Sequence, residues 1–219
     1  MLEPKKNPNP SLLVDPPRLL RVLGGKLTSR VVSSERIAAG RAAFEKKRQA
    51  AGQGHEVLYF HQLDDPYSHL TAQVIGEFAK RYDVKVEPHL IRATGGRSQP
   101  EGEKLANWAR RDCGLVAPHY GLNFPENAGV VPDPEMEKAA ALALAGLSAE
   151  DFLSRIGEIS ADMWAGRAAA PGSGSAATVQ SQLDEGSARL AKLGHYSGAT
   201  FCYGGEWWGA VDLRNTSGL

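Results

Sequence analysis

Asp65 and Ser68 stand three residues apart across Pro66-Tyr67, where an apolar strand at 57–60 runs into an amphipathic helical pattern starting at Pro66. The first turn of a helix has free backbone N–H groups and the positive end of the helix dipole. A serine there donates its hydroxyl hydrogen to a ligand such as a thiol, or bonds only the backbone. A carboxylate there either moves protons or caps the helix, because Asp followed by Pro is a strong N-cap with Pro at N1. Beside a ligand thiolate, its charge would raise the thiol pKa. The junction therefore offers oxygen chemistry and no sulfur.

Other chemistry-bearing residues are scattered. Cys113 and Cys202 form no Cys-X-X-Cys and read as buried thiols of a reducing compartment. His61, Asp65 and His69 are spaced four apart, but the first lies on the strand and only the others on the helix. That falls short of the three or four convergent ligands a metal requires. Arg110-Arg111 beside Trp108 is read as a solvated helix face or as a greeting for an anionic substrate. Trp164 reads as core, and Trp207 and Trp208 alternate across a strand. Gly95-Gly96 lacks the Lys-Ser/Thr of a phosphate loop, and no Gly-X-Ser-X-Gly occurs.

The 219 residues suit one α/β domain with an insertion, and 25 acidic residues balance 25 basic ones. That balance argues against nucleic acid or an anionic membrane as partner. The longest apolar run, 139–147, is far below the roughly 20 residues of a membrane helix. The first residues lack the apolar core of a signal peptide, so a cytoplasmic protein is expected.

The elements that must position Asp65 and Ser68 follow from pattern. Residues 1–54 read as a Pro-rich tail, a short helix opened by Asp15-Pro16-Pro17, a helix from Ser33 to about Gln49 and a Gly-containing linker. Residues 55–219 read as the main domain. Its strand at 57–60 leads to one helix from Pro66 to Asp83, carrying Leu70, Val74, Ile75, Phe78 and Ala79. A strand at 84–91 follows, with Pro88 implying an edge position or a bulge. The short crossover should make the two strands a parallel pair. An all-helical insertion of about 101–193 is expected at 101–112, 133–147, 148–164 and 176–193, before a hairpin turning at Gly204-Gly205.

Three patches carry a resemblance. Tyr59-Phe60-His61-Gln62-Leu63-Asp64-Asp65-Pro66-Tyr67-Ser68-His69-Leu70 resembles Tyr-Phe-Asp-Phe-X-Ser-Pro-Tyr-Ser-Tyr-Leu, with one extra residue before the Pro. Tyr120-Gly121-Leu122-Asn123-Phe124-Pro125-Glu126-Asn127 resembles a segment after an insertion helix. The stretch from Gly198 to Asp212 resembles a Val-Pro-Thr-X-Phe hairpin ending in Trp-Gly-X-Asp-Arg. These are patterns of the DsbA-like thioredoxin-fold superfamily, in its branch of 2-hydroxychromene-2-carboxylate isomerases and kappa-class glutathione transferases.

The resemblance implies a thioredoxin-like fold and a glutathione-dependent isomerase or transferase acting on a small hydrophobic substrate. Asp65 takes the place of the catalytic Ser or Cys, and Ser68 that of the second position. Gly198, Ala199 and Thr200 take the place of the cis-proline loop that binds the ligand's cysteinyl backbone; Val211 and Asp212 are further implied glutathione-binding residues, Asp212 matching the acidic residue that holds the γ-glutamyl amino group. Glutathione is the implied co-substrate, and a homodimer is a further expectation. Gly198-Ala199 lacks the proline, which predicts a trans peptide or a remodelled loop. The final residues, Asn215 to Leu219, do not resemble the family's closing helix, so that helix is expected to be missing. With Ser, Cys and Pro all replaced, a catalytically silent binding module is the alternative, and thiol–disulfide exchange the third.

Overall fold

The structure, a computed structural model, describes residues 33–93, 101–125 and 132–209. The helix expected at Asp15 and the segment after Gly209 lie outside these residues. The chain divides into two units, Met1–Gln53 and Gly54–Leu219. The described part of the first is dominated by helix α1 (Ser34–Ala50), capped by the Ser33 side chain accepting from the Arg36 N–H. No residue of α1 is buried, in keeping with its weak apolar stripe.

In the second unit the order is β1 (Glu56–Gln62), α2 (Pro66–Ala72), α3 (Ile75–Tyr82), β2 (Lys85–Ile91), α4 (Gly102–Val116) and a 3-10 turn (Ala117–Tyr120). Then come α5 (Pro134–Leu144), α6 (Ala149–Trp164), α7 (Ala176–Lys192), β3 (Thr200–Tyr203) and β4 (Glu206–Gly209). The sheet runs β2-β1-β3-β4. β1 and β2 are parallel, pairing from Glu56–Lys85 to Gln62–Ile91, while β3 runs antiparallel to both β1 and β4. Pro88 sits on an outer strand, where its missing N–H costs no ladder bond. The hairpin turns at Gly204 and Gly205, with φ of 61° and 84°, the left-handed pair that a two-residue turn needs.

One expectation is corrected. The single helix from Pro66 to Asp83 is two, α2 and α3, broken at Gln73-Val74. The cause is crowding by α6, which crosses there so closely that a Cβ on Gly157 would lie 3.1 Å from the Ala72 carbonyl oxygen. Gln73 then bonds Asn123 both ways, its amide donating to the carbonyl at 2.8 Å and its carbonyl accepting the N–H at 2.9 Å. Periodicity survives the break because both helices keep an apolar face on the same core.

Central β1 is covered on both faces. Val57 and Tyr59 face Phe152, Ile156 and Met163, while Phe60 faces Ile91, Leu190 and Cys202. That explains its nearly continuous apolar run. Each fully buried large side chain of this set, such as Ile156, contributes about 1.5–3 kcal/mol. On the second face α7 lies so close to β2 that a Cβ on Gly186 would collide with the Leu90 carbonyl oxygen. The core thus fixes where β1 ends and α2 begins, and that end carries the site.

Candidate functional site

β1 ends at Gln62, and Asp65 caps α2 by accepting from the Ser68 N–H at 2.8 Å. The same oxygen, Oδ2, also accepts the Ser68 hydroxyl at 2.7 Å. Ser68 Oγ in turn accepts the Gln62 N–H at 3.2 Å. The hydroxyl hydrogen of Ser68, fully buried, is thereby committed to Asp65. Asp65 itself is half-buried and lines a cleft of 710 Å³. Burial pushes its carboxyl pKa up to about 6, against the opposing hydrogen bonds from Ser68 and Tyr67, while nearby Asp64 adds to the rise.

The opposite lip of the cleft is Ser197-Gly198. A Cβ on Gly198 would lie 2.7 Å from Gln62 Cβ, 3.1 Å from Ser68 Oγ and 3.3 Å from Asp65 Oδ2. The loop therefore presses its bare backbone against the Asp65–Ser68 pair. Ala199 follows with φ of 51°, left-handed, and no cis peptide occurs among the described residues. This is a remodelled loop. Thr200 is buried and its hydroxyl donates to the Ser197 carbonyl at 2.9 Å, closing the turn. The structure thus brings Asp65, Ser68 and Gly198 together, with Ser68 beneath the cleft floor. Ala199 and Thr200 sit behind the lip, buried. Val211 and Asp212 lie outside the described residues.

The far wall is α4, which supplies Glu103, Leu105, Trp108 and Asp112. Leu105 is 52% and Trp108 65% exposed, so the wall offers apolar and aromatic surface to an incoming ligand. Tyr67 donates its hydroxyl to Asp112 at 2.6 Å, holding α4 to α2. Sequence reasoning expected the insertion helices to cover the cleft and noted Trp108, but it did not single out Leu105 or Asp112. The spacing of Leu105, Trp108 and Asp112 on one helical face was the available signal.

Remaining candidates resolve into packing. Arg110 is buried and bonded to Asn107, whereas the Arg111 guanidinium lies 5.5 Å from the Trp108 ring. Trp164 is in the core, Trp207 stacks on His195 at 4.2 Å, and Trp208 is 38% exposed. His69 is buried with Nδ1 2.9 Å from Ser160 Oγ, and burial pushes its pKa down to about 4. His61, fully buried, pairs with the Tyr59 hydroxyl at 2.8 Å and is pushed down to about 3 by burial, then by His69. No group of three metal-ligating side chains occurs among the described residues. No helix among them is long and apolar enough to cross a membrane.

Cys113 and Cys202 are buried free thiols in separate clusters, the first with Leu70 and Ala117, the second with Phe60 and Leu190. Burial raises both thiol pKa values, with Asp65 and Asp112 adding to the rise at Cys113. An inert pair is the consequence. In the folded protein a colourimetric thiol reagent should label neither within minutes, and both on denaturation. Catalysed insulin reduction should be absent.

No protein-family model and no curated protein matches the chain. Among solved structures it is similar to a 2-hydroxychromene-2-carboxylate isomerase at 17% identity and a TM-score of 0.50, over 74% of this chain and 92% of that one. It is also similar to a Nitrosomonas europaea chain carrying a provisional protein disulfide isomerase name, at 14% identity and a TM-score of 0.49, over 74% and 95%. The parallel β1-β2 pair, the helical insertion and the β3-β4 hairpin agree with the likeness to the isomerase structure. The likeness shows the fold: a mixed α/β chain with a DsbA-like thioredoxin fold.

Proposed function

We propose that the cleft binds a small, largely apolar ligand and that Asp65 moves a proton on it, the chemistry of an isomerase. The observation that carries this reading is a carboxyl with a pKa near 6 on the wall of a 710 Å³ cleft faced by Trp108 and Leu105. A carboxyl tuned toward neutrality takes a proton from one atom and returns it to another with little penalty at physiological pH. Isomerisation needs no more, because atoms and electrons balance within the substrate. Glutathione is proposed as a co-substrate in the same cleft, its backbone along Ser197-Gly198. Its thiol proton would have Asp65 as acceptor, since the Ser68 hydrogen is already used. Isothermal titration with millimolar glutathione should give saturable heat that Trp108→Ala weakens. No heat would remove glutathione from the reading and leave the apolar ligand.

A second reading, a catalytically silent binding module, is favoured by the same commitment of the Ser68 hydroxyl. The two differ over Asp65→Asn. Loss of turnover on an isomerisable substrate with ligand binding retained supports the first, while absence of turnover in the parent supports the second.

A further inference from the structure

The Ser197-Gly198 lip is held from behind by a histidine that the proton-transfer reading does not use. α7 ends at Lys192, and the chain turns at Gly194, whose φ of 82° is left-handed. The His195 N–H then donates back to the Leu190 carbonyl at 3.2 Å, fixing this segment to the end of α7. From there the His195 ring reaches forward, and its Nδ1 accepts the Ser197 N–H at 3.2 Å. That nitrogen is the only acceptor of this N–H among the described residues. The Ser197 carbonyl is taken by the Thr200 hydroxyl at 2.9 Å. The lip thus hangs between two bonds, one of them made by a group that titrates.

The ring itself is fixed. It stacks on Trp207 of β4 at 4.2 Å and 23°, and on Tyr196 at 5.4 Å and 11°. Because Nδ1 accepts, the ring hydrogen of neutral His195 sits on Nε2. A second proton has only Nδ1 to go to, and a protonated Nδ1 no longer accepts. The indole face tolerates that positive charge, so the ring has no reason to leave the stack. The N–H of half-buried Ser197 loses its acceptor instead.

We infer that His195 is a positioning residue: its neutral ring pins the Ser197-Gly198 lip over the Asp65–Ser68 pair, and its protonation releases the lip. The bond is complete above the His195 midpoint and lost below it. Burial holds that midpoint under the ordinary histidine value, with the Ser197 backbone opposing. Titratable groups on the packed elements are Arg189 and Lys192 in the last turn of α7, Cys202 on β3, Glu206 on β4 and His89 on β2. Asp65 adds one on the cleft side of the lip. What the lip does for a ligand rests on reading the cleft as a binding site, but the test of the bond uses no ligand.

The test is NMR of the full chain, following the His195 ring and the Ser197 amide together from about pH 7.5 to 4.5, where β1 amides keep their protection. The ring is assigned by its disappearance in His195→Asn. The neutral ring should show a bare Nδ1 and a protonated Nε2, and the reverse tautomer overturns the inference. The Ser197 amide should shift with the His195 midpoint, and its protection against solvent exchange should fall about three- to tenfold. An amide unmoved through that midpoint overturns the inference. His195→Asn offers a side-chain oxygen to the N–H two residues on, as in an Asx-turn, but does not titrate. It should keep the protection across the range, and pH-dependent protection in this variant overturns the inference. His195→Phe, which keeps the stack alone, should lack the protection throughout, and protection equal to the parent's at neutral pH is a contrary result. Asp65→Asn should leave the dependence in place; its loss there would assign the change to the carboxyl and overturn the role of His195. Failure of glutathione to bind the unaltered protein would instead count against the functional reading alone.

Discussion

Asp65→Asn should make the protein more stable at pH 7.5 and leave it nearly unchanged at pH 4. In the folded state the carboxyl has a pKa of about 6, against 3.8 for the free side chain, because burial disfavours the charge. A raised acid pKa means that the native state holds the proton more tightly than the unfolded chain. Stability from this group is therefore highest below pH 4, falls between about 4 and 6, and stays low above that window. The full loss is about 3 kcal/mol. Asn does not titrate, still caps α2, and accepts the same Ser68 N–H and hydroxyl. Relative to the parent, the variant should gain about 2–3 kcal/mol between pH 4 and 7.5, or about 5–10 °C in Tm at the higher pH. Urea denaturation at the two pH values measures it. A variant less stable at pH 7.5 than at pH 4, relative to the parent, contradicts the assignment of a strained carboxylate. If turnover falls as stability rises, Asp65 is a residue kept for chemistry against the interest of the fold.

Gly198→Ala should be the more damaging change. Its Cβ would enter a space bounded by Gln62 Cβ at 2.7 Å, Ser68 Oγ at 3.1 Å and Asp65 Oδ2 at 3.3 Å. Gln62 is anchored by β1 and Ser68 by two hydrogen bonds, so the loop carrying residue 198 must retreat. Such overpacking costs about 1–3 kcal/mol. The retreat also moves one lip of the cleft, so ligand affinity should fall together with stability. Gly102→Ala is the control on the opposite wall, because nothing lies within 4 Å of its Cβ. That change should be neutral or stabilising by up to about 1 kcal/mol. Equal effects of the two substitutions would mean that the loop does not press on the Asp65–Ser68 pair.

Local signals in the chain were enough for most of its described elements and their order. Ser148 caps α6 because its hydroxyl reaches the Asp151 N–H, a bond made within four residues. Gly204-Gly205 turns the hairpin for the same local reason, and Pro88 places β2 at an edge because proline lacks a donor. Asp65-Pro66 likewise announced the start of α2. The break at Gln73-Val74 was not legible, since it depends on α6 arriving some 80 residues later with Gly157 against Ala72.

The same division runs through the site. Sequence alone determined that the helix junction holds Asp65 and Ser68 with no cysteine, which limits the site to oxygen chemistry. Only tertiary structure decided that Ser68 is spent on Asp65, that Gly198 closes over both, and that α4 builds the far wall. The physical reason is desolvation. A carboxyl's type is written in the chain, but its pKa depends on how much water surrounding elements remove, and those elements are distant in sequence.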